Sequence, residues 1–296
     1  MDLRALAMGL VFVTMWASAF TSARIIVTEA PPMAALSVRF LISGLIAVAI
    51  ARALGQSWRL TRAQAGATVL FGICQNALYL GLNFVAMQTV EASLATIIAS
   101  TMPLLVAFAA WIVFGERLSP LGIAGLAAGF AGVALIMGTR LQGGADPYGV
   151  ALCFLGAVAL TFATLSVRGA SSGGNVLMIV GLQMLVGSAA LVVPAALFET
   201  WEVTLSWRLA AAFVYTLFIP GLAATLVWFL LVRRIGATRA ATFHFLSPFI
   251  GVLVAAAVLG EAIVWTDLVG VAIIMAGILA VQLARAHATA EAARRA

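Results

Sequence analysis

Arg39 is the residue with the sharpest chemical meaning in this chain. It stands near the middle of the apolar run 32–51, where a charge costs roughly 2.5–3.5 kcal/mol on insertion scales, so it must face protein, water or a ligand. A guanidinium there offers two chemistries: bidentate capture of a ligand carboxylate, or bracing of helices through carbonyls or a polar side chain. Gln183, at the corresponding place in the second half of the chain, is the natural brace. In the run 66–86, Asn76, Tyr79 and Asn83 fall at i, i+3 and i+7, on one helical face with Gln75 beside it. Amides are costly in lipid, so this stripe either joins helices or lines a wet cavity. Thr14, Ser18 and Thr21 make a weaker stripe suited to packing, while Trp16 beside them could stack on a flat ligand; Thr161 is a lesser candidate of the same kind.

Pro103 and Pro248 lie within apolar runs. A proline inside a helix removes one backbone hydrogen bond and bends the rod. The carbonyls of Ala99 and His244 are predicted to become free acceptors, with Ser100, Thr101 and Ser247 nearby to meet an ammonium group. Pro220-Gly221 adds a flexible point to the eighth apolar run, with no counterpart in the third. His244 is the only histidine inside such a run, and no Asp or Glu lies mid-run, which leaves carboxylate proton relays unsupported. Any proton movement would therefore fall to His244, whose charge changes near neutral pH.

These residues must be positioned by elements that live in lipid. Of 296 residues, 64% are hydrophobic and 9% charged, with a mean hydropathy of +1.16; soluble domains carry about a quarter charged residues. Runs near 5–23, 32–51, 66–86, 91–113, 119–138, 148–167, 175–198, 208–232, 238–259 and 264–284 are each long enough to cross a bilayer as a helix. The first resembles a secretory signal, with Ala17-Ser18-Ala19 placed like a cleavage site, but the repeat described below needs it as a first helix.

All sixteen basic residues are Arg, which excludes lysine chemistries such as a Schiff base or a phosphate-binding P-loop. With the N-terminus inside, twelve Arg fall in cytoplasmic segments and three outside (Arg24, Arg140 and Arg208), placing both termini in the cytoplasm. No dense basic patch exists to follow nucleic acid. Cys74 and Cys153 sit in apolar runs as packing residues, and neither their spacing nor any other residue set calls for a metal or cofactor.

A shift of 145 positions aligns the fourth and fifth runs with the ninth and tenth without a gap. Pro103, Ala110, Gly115, Glu116, Gly125 and Gly132 meet Pro248, Ala255, Gly260, Glu261, Gly270 and Gly277. A shift of 144 in the first run pairs Ala19, Ser22 and Arg24 with Ala163, Ser166 and Arg168. Paired Pro and Gly-Glu in register indicate duplication into repeats 1–141 and 142–296. Five spans per repeat is an odd number, so the second repeat enters from the opposite side; inverted repeats are the architecture of secondary transporters. The fold expected is an all-α polytopic membrane protein of ten helices in two inverted five-helix repeats.

Over essentially its whole length the chain resembles the drug/metabolite transporter superfamily, in its EamA type. Arg39-Phe40, the stretch from Pro103 to Gly115-Glu116-Arg117-Leu118, the Gly-rich fifth run and the second copy from Pro248 to Gly260-Glu261 carry the likeness. It implies a ten-helix carrier of the bacterial inner membrane that exports amino acids or other small metabolites, nearest in character to exporters of aromatic amino acids and of flat dications such as paraquat. Because the likeness includes Arg39 across varied substrates, it favours bracing for that residue. Glu116 and Glu261 are landmarks expected to cap or pair with loop groups at helix ends on opposite sides.

The candidate cavity set is Asn76, Tyr79, Asn83, His244, Ser247, Ser100, Thr101, Trp16, Arg39 and Gln183, with Pro103, Pro248, Pro220 and Gly221 as hinges. Gly125 and Gly129 form a GxxxG step that offers a homodimer face. Anionic sugar nucleotides or phosphorylated metabolites would want more than one buried cation, and a channel would want charge rings or a carbonyl filter. Gly169-Ala170-Ser171-Ser172-Gly173 formally matches a hydrolase nucleophile motif but lacks the strand-to-helix context and a nearby base.

Overall fold

Without water to satisfy its peptide groups, a chain in lipid must close every backbone hydrogen bond within a helix. The computed structural model, which describes residues 2–116, 118–166 and 174–295, does so with ten spans. They are α1 (Leu3–Glu29), α2 (Pro32–Ala53), α3 (Arg62–Ala86), α4 (Ala92–Phe114), α5 (Pro120–Gln142), α6 (Pro147–Ser166), α7 (Val176–Phe198), α8 (Trp207–Ile235), α9 (Arg239–Leu259) and α10 (Trp265–His287). The helix of α10 continues to Arg295. No strand occurs among the described residues. All ten expected spans are present, displaced by a few residues at their ends.

The chain forms two compact units, each drawing on both halves of the sequence. Unit 1 comprises Met1–Thr21, Val90–Pro147 and Ala223–Ala296; unit 2 comprises Ser22–Thr89 and Tyr148–Leu222.

In unit 1, α5 crosses α10 at glycines. A Cβ on Gly125 would stand 2.8 Å from the Gly277 carbonyl oxygen, and one on Gly132 would stand 2.9 Å from that of Gly270. Residue numbers rise along one helix as they fall along the other, so the two rods run antiparallel. The backbones approach this closely because glycine leaves no side chain in the way, which lets dispersion contacts replace a hydrophobic force that lipid does not supply. Gly129 receives Leu104 of α4. The GxxxG face that offered itself to a second copy is thus filled within the chain by α10 and α4.

Unit 2 contains the same type of crossing between α2 and α7. The Ser37 hydroxyl donates to the Ser188 carbonyl at 3.0 Å, and the Ser188 hydroxyl donates to the Ser37 carbonyl at 2.9 Å. Seven residues on, Gly44 and Gly181 each lie about 3 Å, by built Cβ position, from the other's carbonyl oxygen.

Local structure repeats in the 145-residue register. Thr61 caps α3 by accepting from the Gln64 N–H, and Ser206 caps α8 by accepting from the Leu209 N–H. The helical segments Met102–Phe114 and Ser247–Leu259 each carry proline in their first turn and end on a left-handed glycine, Gly115 at φ 63° and Gly260 at φ 71°. Only glycine takes that conformation without a steric penalty.

Two expectations are corrected here. Pro103 and Pro248 do not bend continuous helices. The first half of α4 ends at Ser100, and a new helix starts at Met102. In α9 a 3₁₀ turn, Phe243–Leu246, separates two helices. The proline sits where a helix start has no N–H to lose. The carbonyls are therefore not left open at His244, which accepts from the Ser247 N–H. Pro220 also proves to have a counterpart. It lies in a π-helical segment, Leu217–Ala223, and α3 carries another, Gly72–Tyr79, beginning 145 residues earlier without any proline. Such wide turns release backbone groups from the usual ladder and recur at functional sites.

Glu261 accepts from the N–H groups of Ala92 and Ser93 at 2.8 and 2.9 Å, closing the start of α4. Glu199 does the same for Met33 and Ala34 at the start of α2. Two charge-assisted bonds at a helix N-terminus also meet its positive dipole end. Replacing Glu261 by alanine is expected to cost about 2 kcal/mol, with glutamine retaining part of the capping, as read by denaturant midpoints in detergent.

Candidate functional site

In unit 1 the third and fourth turns of α1 meet the 3₁₀ break of α9 and the second half of α8. Phe12 and Trp16, one turn apart on α1, face His244 from the break and Trp228 from α8. The imidazole plane is nearly perpendicular to that of Phe12, 5.2 Å between centroids (88°), and to that of Trp16 at 5.7 Å (86°), and is tilted against Trp228 at 5.5 Å (57°). Phe12 and Trp228 are 4.9 Å apart. Val13 and Ala224 are buried beneath this cluster, and Met15, Val227, Leu246 and Ile250 pack around it. Three aromatic rings gathered around one imidazole make an aromatic box whose chemistry suits an aromatic ring or a cation.

Why these residues meet is readable locally. The tight 3₁₀ turn advances the chain faster per residue than an α-helix, so His244 leaves the α-helical register of α9. Trp228 lies beyond the π segment of α8, whose extra residue per turn rotates everything after it.

The remaining sequence candidates divide by unit. In unit 1, Ser100 and Thr101 are buried, but their hydroxyls donate to the carbonyls of Thr96 and Ile98 at 2.7 and 2.6 Å. Those protons are spent on their own helix. Ser247 is buried, and its hydroxyl has no hydrogen-bond partner.

In unit 2, Asn76 donates from its amide to the Gln183 carbonyl at 2.9 Å, and Gly187 packs on its Cβ. Asn83 donates to the carbonyl of Tyr79, four residues back, at 2.8 Å, and Gly156 of α6 closes over both. Tyr79 is fully buried. The third-span stripe is therefore brought together as one packed face, its amide protons engaged inside unit 2. Thr161 donates to the Ala157 carbonyl.

Arg39 is buried in unit 2, its guanidinium carbon 5.0 Å from the centroid of the neighbouring Phe40 ring. Gln183 does not brace it. No hydrogen bond joins the two side chains; the Gln183 backbone carbonyl accepts from Asn76, and Arg39 Nε has no hydrogen-bond partner.

Sequence reasoning named Trp16 and His244 as candidates and did not name Phe12 or Trp228. The available signal was the four-residue spacing of Phe12 and Trp16 on one face of α1; nothing local to α8 singled out Trp228. It also missed a buried charge cluster in unit 1. Arg140, read only as a topological charge, donates from Nε to Asp267 at 3.1 Å and from Nη1 to Glu91 at 2.7 Å, and Asp267 is wholly buried. No group of three or more His, Cys, Asp or Glu side chains suited to a metal occurs among the described residues. The formal nucleophile motif at 169–173 lies outside them.

Ten bilayer-length helices among the described residues, four of them (α3, α4, α8 and α9) interrupted in the 145-residue register, define a multi-pass membrane protein. The chain belongs to the EamA-like transporter family, whose profile matches it twice, over residues 3–138 and 147–283. Among curated relatives, an uncharacterized transporter of Bacillus subtilis (strain 168), YvbV, is 27% identical over 90% of this chain and 87% of its own length. The uncharacterized inner membrane transporter YedA of Escherichia coli (strain K12) is 25% identical over 91% of this chain and 88% of its own length. A solved crystal structure superposes with a TM-score of 0.68 at 22% identity, covering 96% of this chain and 99% of the other, a likeness of fold. The protein is a transporter.

Proposed function

We propose that this transporter exports amino acids with apolar or aromatic side chains from the bacterial cytoplasm, by alternating access between two inverted five-helix repeats, residues 1–141 and 142–296. The observation that carries the substrate reading is the box of Phe12, Trp16, Trp228 and His244, which offers π faces and one imidazole and no fixed charge. The Arg distribution supports cytoplasmic termini.

Inversion is supported by the helix crossings. Gly125 corresponds to Gly270 and Gly132 to Gly277 in the repeat, yet Gly125 meets Gly277 and Gly132 meets Gly270. Such an exchange between antiparallel equivalents is the signature of a two-fold axis. Laid in the membrane plane, that axis relates inverted repeats. The Ser37–Ser188 and Gly44–Gly181 contacts repeat the exchange with the same seven-residue spacing.

Counterflow in proteoliposomes tests the reading. Labelled phenylalanine should accumulate transiently against an unlabelled internal pool, and Phe12→Ala or Trp228→Ala should lower its initial rate about tenfold, the loss of roughly one aromatic contact. Absence of exchange for every apolar amino acid would remove the substrate assignment. Uptake without trans-acceleration would point to a channel. Flat organic cations are the second reading, favoured by the π faces of the box, and would exchange in the same assay in place of phenylalanine.

A further inference from the structure

A charged guanidinium inside a protein is paired, or it is held open for something that pairs with it. Arg39 is 7% exposed, and no acidic side chain among the described residues forms an ion pair with it. Its Nε lacks a hydrogen-bond partner, and so does the hydroxyl of Ser43, one turn further on the same face of α2 and fully buried. The ring of Phe40 gives the cation a polarizable neighbour, which attracts charge without neutralising it.

Both groups point to one spot. The π-helical segment Leu217–Ala223 brings Gly221 against α2, and the position a Cβ would take there is 3.1 Å from the Thr216 carbonyl oxygen, 3.4 Å from Arg39 Nη2 and 3.9 Å from Ser43 Oγ. Pro220, just before it, contributes no N–H, and the absence of a side chain at Gly221 leaves the guanidinium and the Ser43 hydroxyl facing the wide turn with no side-chain acceptor from it. A fork of N–H donors plus one hydroxyl matches a carboxylate, which accepts two parallel bonds from guanidinium and a third from the alcohol. Phosphate would bring a second charge with no second cation to meet it.

From this geometry we infer that Arg39, Ser43 and Gly221 form a carboxylate-binding subsite in unit 2. The subsite rests on the amino-acid reading for its physiological ligand, as a recognition element of unit 2 separate from the aromatic box of unit 1. Arg39 thereby acts as a binding residue and not as the helix brace.

Two measurements separate the subsite from the transport claim. In the first, thermal unfolding of purified protein in detergent is followed with a carboxylate series (acetate, benzoate, 3-phenylpropionate), the matched amides and amines, chloride and inorganic phosphate. At least one carboxylate should raise the wild-type midpoint above its amide, and this rise should vanish in Arg39→Met and fall in Ser43→Ala and Gly221→Ala. Arg39→Lys keeps the charge but not the fork, and should retain only part of the rise. If no carboxylate outperforms its amide, or if Arg39→Met responds like wild type, the subsite is overturned. A larger response to phosphate or chloride than to any carboxylate also overturns the carboxylate assignment.

In the second, counterflow of phenylalanine and of its decarboxylated amine is compared. Arg39→Met should slow the amino acid by about 10- to 100-fold, the worth of a charge-assisted pair, and leave any amine exchange within about twofold. Equal losses for both solutes would make Arg39 structural. If phenylalanine fails to exchange in wild type while carboxylates still raise the midpoint through Arg39, the amino-acid reading falls and the subsite stands.

Discussion

Arg140→Met is expected to destabilise the protein by about 3–5 kcal/mol, the cost of stranding a buried charge. Asp267 has no exposed surface, and two of its contacts come from the Arg140 guanidinium. Its other polar contact is the Val264 N–H at 3.4 Å, too long to hold a carboxylate in a dry site. Glu91, on the other side of the same guanidinium, has a side chain 43% exposed, so its pairing contributes only about 0–1 kcal/mol.

The asymmetry gives the prediction a distinctive form. Arg140→Met alone should lower the unfolding midpoint strongly, whereas Arg140→Met combined with Asp267→Leu should recover most of the loss, because apolar side chains of similar volume replace buried pairs at little cost. Glu91→Gln should change little. A double variant no better than Arg140→Met would show that the cluster stabilises through packing, not charge.

Gly277→Ala should be almost as damaging. A methyl at this position would lie 2.6 Å from the Gly125 carbonyl oxygen, 2.6 Å from the Gly129 nitrogen and 2.8 Å from the Gly129 Cα. All three atoms are backbone, so no rotamer change relieves the clash and α5 must move away from α10 as a body. Overpacking usually costs about 1–3 kcal/mol, and an obstruction made only of backbone belongs at the upper end. Gly138, on α5 with nothing within 4 Å of its Cβ position, is the control: Gly138→Ala should be neutral or slightly stabilising through helix propensity. Equal stability of the two variants in a denaturant series would remove the close crossing as a source of stability.

The two predictions concern different physics at one helix pair. The crossing of α5 and α10 depends on an absence of side chain at Gly125, Gly132, Gly270 and Gly277, and is pinned near its end by Arg140 and Asp267. In lipid, dispersion and polar contacts must hold helices that no hydrophobic force drives together. The same division holds in unit 2, where Gly44 and Gly181 supply the close approach and Ser37 and Ser188 the hydrogen bonds.

The number of spans was legible in the sequence, because the bilayer imposes a local rule: about twenty apolar residues, helical throughout. The prolines at 103 and 248 and the paired Gly115 and Gly260 stood out in the sequence as local breaks, because their chemistry acts within a few residues. The sequence misread what those prolines do, since a kink and a restart look alike until the turn before the proline is seen. It also missed the π segment at Gly72–Tyr79, which carries neither proline nor any other local mark.

What no span could disclose is partnership. Phe12 and Trp228 come together across more than two hundred residues, as do the Glu91, Arg140 and Asp267 side chains across more than a hundred. Each side chain alone reads as an ordinary apolar or interfacial residue. Arg39 shows the limit most directly: its position announced a charge in lipid, but only the fold decided that its guanidinium would lie beside Ser43 and Gly221 with no partner for its Nε. Hydropathy is a property of a segment and survives in the sequence. A hydrogen-bond partner is a property of two segments, and exists only once the helices have packed.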